Sequence, residues 1–163
     1  MGVRNCKDIG ENLQRIVKVL MKNDNLVNLL YYSEKDPLSQ PFLTQQQKQD
    51  EIFEKRIKII PKLNPQEDAK STIALMATSG HGLADNGEFK TVVIPVEVFV
   101  PMTQWIIKDT NLRPYAILGE IQSTLNGLTI NGLGKLYGGD FDYNFGTDEM
   151  SAFIQTFYLT SYD

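Results

Sequence analysis

Between residues 5 and 22 the apolar positions Cys6, Ile9, Leu13, Ile16, Val17 and Leu20 fall three or four apart. That spacing stacks them on one side of a helix and predicts an amphipathic first helix. "NDN" (23–25) interrupts the pattern, and Asp24 or Asn25 is placed to cap a short second helix, "LVNLLYY". The next stretch, "SEKDPLSQPFLTQQQKQDE" (33–51), has two prolines, a glutamine run and no clear period. It predicts a loop or partner-ordered arm over residues 33–55.

From residue 56 the pattern changes to strands. "RIKIIPKL" (56–63), "STIALMATS" (71–79) and "EFKTVVIPVEVFV" (88–100) are strand-like, the last with Val92, Ile94, Val96, Val98 and Val100 on one face. Pro95 has no N–H to give a ladder, so this strand must lie at an edge or carry a bulge there. "GHGLADNG" (80–87) is rich in turn formers and predicts a long hairpin tip. A helix is expected at about 112–126, with Pro114 in its first turn, Ile117, Leu118, Ile121 and Leu125 buried, and Asn126-Gly127 ending it. Strands at 128–137 and 150–162 close the chain. The pattern predicts one α+β domain over residues 1–163: helices, then a mostly antiparallel sheet of four to five strands packed by helices.

Composition narrows the function classes. The net charge of −4 argues against general nucleic-acid binding. The charge is uneven: residues 1–80 carry 12 Lys/Arg against 10 Asp/Glu, and residues 81–163 carry 4 against 10. The single cysteine, Cys6, has no partner for an internal disulfide, and there is no CxxC or Cys/His cluster to hold zinc. The longest apolar run, "TVVIPVEVFVPM" (91–102), is broken by Glu97 and falls short of the ~20 residues that span a bilayer. No membrane partner is expected.

"NGLGKLYGGD" (131–140) gathers glycines around Lys135, as phosphate loops do. Its spacing matches neither GxxxxGK[ST] nor GxGxxG, and it follows a helix instead of opening one. Glycines among strand residues mark bulges or close backbone approach. His81, the one histidine, sits in the glycine-flanked tip with nothing local to orient it as a base. "DFDYNFGTDE" (140–149) lacks the spacing of a calcium loop, so its carboxylates predict solvated turns. No catalytic residue, metal or cofactor is expected. "STIALMATS" and "MSAFIQTFYLTSY" (150–162) carry apolar residues on both faces; burial within the domain and an oligomer interface account for that equally well.

The order of elements together with "VEVFVPMTQWIIKDTNLRPYAILGEIQSTLNGLTINGLGKLYGG" (96–139) resembles the tail terminator, or tail completion, proteins of long-tailed bacteriophages and of phage-derived contractile particles. The likeness lies in a "FVP" strand, a Trp followed by an acidic residue, "LRPY" opening a helix, "GLGKL", and an aromatic final strand, over roughly residues 55–162. It implies a non-enzymatic virion protein of the tail or neck, assembled in the host cytoplasm. It also implies hexameric rings that cap the tail tube, stop its polymerisation and join it to the head. The implied partners are further copies of the chain, the tube protein, a connector or stopper protein, and the sheath protein in contractile particles. The implied subunit or tube contacts are His81, Leu83, Asp85, Phe89, Phe153 and Phe157. An acidic strip of Asp140, Asp142, Asp148 and Glu149 would line a lumen through which DNA passes without specific binding. A head-tail connector or stopper protein is the alternative, and a small phage enzyme or binding module a more distant one.

Overall fold

The computed structural model describes residues 6–59, 70–82, 89–108, 111–130 and 134–160. Helix α1 (Cys6–Met21) buries Leu13, Ile16, Val17 and Leu20 of the predicted stripe and Met21 besides, while Ile9 is half-buried and Cys6 at its start is exposed. Helix α2 (Asp24–Tyr31) is capped by Asn23, one residue before the two expected caps: its Oδ1 accepts from the backbone N–H of Leu26. The Asn23 amide also donates to Glu120 at 2.9 Å and Thr124 at 2.8 Å, which lie on a later helix. A residue tied to that helix wins over neighbours with only local bonds to offer.

The expected loop or arm at 33–55 is instead folded. It holds a 3₁₀ turn (Pro37–Ser39) and helix α3 (Gln45–Glu51), which opens with a reciprocal Thr44/Gln47 capping box. The buried amide of Asn28 on α2 donates to the carbonyls of Pro37 and Gln40, and Leu43 and Ile52 enter the core. Too few apolar residues show in this segment for a periodic signal. It is held by tertiary anchors.

The strands are β1 (Ile57–Lys58), β2 (Thr72–Leu75), β3 (Ser79–Gly82), β4 (Phe89–Pro101), β5 (Ile106–Ile107), β6 (Asn111–Leu112), β7 (Thr129–Ile130), β8 (Gly134–Gly146) and β9 (Met150–Thr160). The fold class is α+β, with more strands than the pattern predicts. The main sheet runs β1-β2-β4-β9-β8-β7, with β3 also on β4, and β5 and β6 pair separately. All these pairs are antiparallel except β1 with β2. Two-residue strands are too short to show alternation, which accounts for most of the excess.

Strand β4 lies inside the sheet, so Pro95 needs its bulge. Leu75 pairs with Val96 and Ser79 with Val93, which leaves one more residue on the β2–β3 flank than on β4. The Val93 carbonyl accepts from Thr78 on that flank, so the alternate residue Pro95 faces the same way. Its missing N–H falls at the break in pairing. The inner face of β4 buries Val92, Ile94, Val96, Val98 and Val100, as the alternation predicts. They pack with Phe153, Phe157 and Leu159 of β9 beneath helix α4 (Arg113–Leu125). The opposite face carries a smaller buried cluster of Ala74, Phe99, Met150 and Ala152. The main core and this cluster explain the two-sided apolar pattern of these strands.

The glycine stretch is a bulge. Gly138 and Gly139 have φ of 125° and 118°, and the β8–β9 register shifts between Gly138 and Asp140. A Cβ on Gly138 would meet the Thr156 carbonyl oxygen at 2.5 Å, and one on Gly139 would meet the Gln122 side chain at 2.9 Å. Glycine is required there by close approach as well as by φ. Gly127 (φ 81°) follows the end of α4 as expected.

Candidate interaction surface

Strand β8 extends well past the predicted end at residue 137, so the carboxylates read as turn residues divide into two sets. Asp140 and Asp142 stand on the strand itself, paired in register with Thr156 and Ile154. Asp148 and Glu149 occupy the turn to β9, where the Thr147 hydroxyl accepts from both Glu149 and Met150 N–H. All four are exposed at one end of the β8–β9 hairpin. The expected acidic strip is thus divided between the strand and the turn.

The same half of β8 carries aromatic rings. Phe141 and Tyr143 project to the face opposite Asp140 and Asp142, where Tyr115 of α4 and Phe153 of β9 meet them. Tyr143 and Tyr115 lie 5.4 and 5.6 Å from the Phe153 ring, and Phe141 lies 6.1 Å from Tyr115. These edge-on contacts suit aromatic quadrupoles. Phe153 is buried, but Phe141 is 50% and Tyr143 58% exposed, and Phe145 beyond them is exposed too. Strand β7 pairs β8 only at Gly134 and Lys135. Among the described residues, the outer edge of β8 beyond Leu136 has no strand partner.

Arg113 fixes the helix that supplies Tyr115. Its side chain is 0% exposed and donates to the carbonyls of Leu29, Tyr32, Glu34 and Gln104. Leu29 and Tyr32 lie at the C-terminal end of α2, where carbonyls lack helical partners and a cation is favoured. Burial lowers the guanidinium pKa to about 10, and nearby Glu34 opposes the shift. It remains charged at neutral pH. In "LRPY", Arg113 thus points inward as a clasp, Pro114 starts the helix, and Tyr115 points outward.

The remaining expected contact residues are scattered. His81 lies on β3, in register with Thr91, so it is a strand residue instead of a tip residue. Its alternation was masked by three small neighbours. Leu83 and Asp85 lie outside the described residues. Phe89 begins β4 opposite Gly82. Phe157 is fully buried and Phe153 nearly so; both belong to the core and present no docking surface. Sequence reasoning missed Tyr115, Phe141, Tyr143 and Phe145. The signal was present, since "DFDYNF" alternates polar and aromatic residues as a strand does, although the register shifts between Tyr143 and Phe145.

A surface cavity beside the 3₁₀ turn is lined by Lys35, Asp36, Ser39, Ile107, Lys108 and Asn111 among others. The Ser39 hydroxyl donates to Asp36 at 2.8 Å, and Lys108 pairs with it at 3.2 Å. The hydrogen bond from Ser39 holds the Asp36 carboxyl below its ordinary value, helped by Lys108. A carboxylate so engaged is a turn anchor, and the lining has no histidine or thiol to act with Ser39. Among the described residues, no group of three His, Cys, Asp or Glu is placed to hold a metal ion.

The chain matches the model of the YomW family over residues 23–159 and belongs to that family, which makes it a phage-associated protein. No curated protein and no solved structure matches it.

Proposed function

We propose that this member of the YomW family is a structural virion protein, a tail terminator that forms a ring on the end of the tail tube. The ring stops tube growth and offers its other face to the connector or stopper protein of the head, with the sheath as a further neighbour in contractile particles. It works in the virion neck by contact alone, without catalysis. Membership of a phage-associated family agrees with this reading, as do the sequence likenesses at "LRPY" and "GLGKL".

The observation that carries the proposal is the distal β8–β9 hairpin. Long, exposed edge strands with several solvent-facing aromatic rings are a liability on a monomer, and proteins retain them where a partner covers them. Rings of head-to-tail subunits need two unlike surfaces per chain, and this hairpin is one of them. In the ring, Asp148 and Glu149 at the hairpin tip face the bore, where like charge keeps phosphate from adhering.

Deletion of the gene from the phage, followed by electron microscopy of the particles, tests the role. Tail tubes of uncontrolled length are expected. Tubes of normal length, detached from heads, would transfer the chain to the connector or stopper role. Normal infectious particles would overturn both.

A further inference from the structure

A groove of about 560 Å³ runs between α1 and α3. Its floor holds Met21 and the half-buried Phe53; its rims carry Lys18 of α1 and Lys22 just past its end, and Gln45 and Gln49 one turn apart on α3. Lys48, also in the lining, already pairs with Asp24 at 2.6 Å. Among the described residues, Lys18 and Lys22 form no ion pair, and Gln45 and Gln49 form no side-chain hydrogen bond. Helix α1 packs against β1, the end strand of the sheet, and against α2 and α4.

The groove and the distal half of β8 are complementary in each component. The strand offers two carboxylates, and the groove has two lysines. The strand offers the rings of Phe141 and Tyr143, and the groove has an apolar floor. Among the described residues, the strand's outer edge beyond Leu136 has no strand partner for its N–H and C=O groups, and glutamine amides supply both an acceptor and donors for such groups. Two unlike, complementary surfaces on one molecule give a head-to-tail contact between copies.

We propose that the β8 segment Asp140–Phe145 of one copy docks lengthwise in the α1/α3 groove of the next. This rests on the ring reading only for the number of copies. It assigns Asp140 and Asp142 to the subunit contact and leaves Asp148 and Glu149 for the bore.

Sedimentation velocity on the purified full-length chain, at low and high salt, tests the contact through charge reversal. D140K/D142K and K18E/K22E change exposed residues, so both variants should keep wild-type circular dichroism and melting. Each should weaken association at least roughly tenfold, because like charges then face each other. An equimolar mixture of the two should recover it to within about threefold, since each variant then carries the surface the other lost. Raising salt should weaken the wild-type contact. Wild-type chain that stays monomeric at hundreds of micromolar overturns the proposal. So do variants that associate as wild type, or a mixture that fails to recover. Tail length in the deletion particles judges the terminator role separately, so failure of this contact is distinguishable from failure of that role.

Discussion

The two halves of β8 are built from similar residues and end in opposite situations. The proximal half, Gly134–Gly139, pairs with β7 and β9 at its start and lies against α4, and Leu136 is fully buried. The distal half, Asp140–Gly146, pairs with β9 alone and is exposed at every position. Both contain glycine, aromatic and polar residues. What separates them is coverage: β7 pairs only with the first half, and α4 buries residues there but touches the second half only at its margin, through the half-exposed Tyr115. Rings in the covered region stabilise the fold, and rings in the open one are available to a partner.

The most disruptive way to probe this contrast is to damage the covered side. Phe157→Ala should cost about 3–5 kcal/mol by the usual cavity penalty, while Phe141→Ala and Tyr143→Ala should each cost under about 1 kcal/mol because their rings are half in water. Chemical denaturation of the three variants makes the comparison. Equal losses would mean that the distal rings belong to the core.

The clasp under α4 should come next. Arg113→Met removes four hydrogen bonds to carbonyls, two buried and two part-buried, and should destabilise by about 3 kcal/mol, and Arg113→Lys should recover less than half, because one ammonium cannot reach carbonyls set around a planar fork. The folded-state pKa of about 10 lies below the ordinary arginine value. The unfolded chain therefore holds more protons between those values. The desolvation cost is fully present below about pH 10 and is relieved only above it. Melting curves of wild type and Arg113→Met should thus stay a constant distance apart from pH 5 to about 9. A gap that changes in that range would show the guanidinium titrating there.

Gly138→Ala tests the hinge between the two halves. The left-handed φ and the approach to Thr156 should together cost about 2 kcal/mol, by the usual size of backbone strain. The distal surface should loosen with it, read as faster amide exchange at 140–146 than in wild type. Unchanged exchange there would make the bulge irrelevant to the surface.

The smallest effects belong to isolated charges. D148K/E149K should leave melting within about 0.5 kcal/mol of wild type, as exposed substitutions do, yet make assembled chain retain DNA on a filter at low salt. Retention that salt does not reverse would argue against an electrostatic bore. At Asp36 the folded pKa is depressed, so its contribution is present above the ordinary 3.8 and is lost as pH falls through the lower folded value. Asp36→Asn should therefore flatten only the acid limb of the melting profile. Near neutrality the variant should lie at a constant offset below wild type, and a slope that changes there would point to another group.

How legible the molecule was in its sequence varied with the range of the forces involved. The α1 stripe, the valine face of β4, helix α4 with its Gly127 stop and the need for a bulge at Pro95 all come from neighbours a few positions apart. Asn23 was passed over as the α2 cap because the Glu120 and Thr124 groups that favour it are distant in the chain. The 33–55 segment was misjudged for the same reason: Asn28 and a few buried side chains hold it. In "DFDYNF" the alternation was visible, but turn-forming Asp, Asn and Gly residues outweighed it in a local reading.

By itself, the sequence determined which residues can form helices and strands, which face of each is apolar, and where glycine must bend the chain. Those properties follow from backbone sterics and from periods of 3.6 and 2. Only the tertiary structure decided which apolar residues stay in water. Phe157 and Phe141 are the same residue type on neighbouring strands; one is fully buried in the core and the other lies at the margin of α4, touched by Tyr115 and half in water. Whether a ring is core or contact depends on what else the fold brings over it, and no local pattern records that distance.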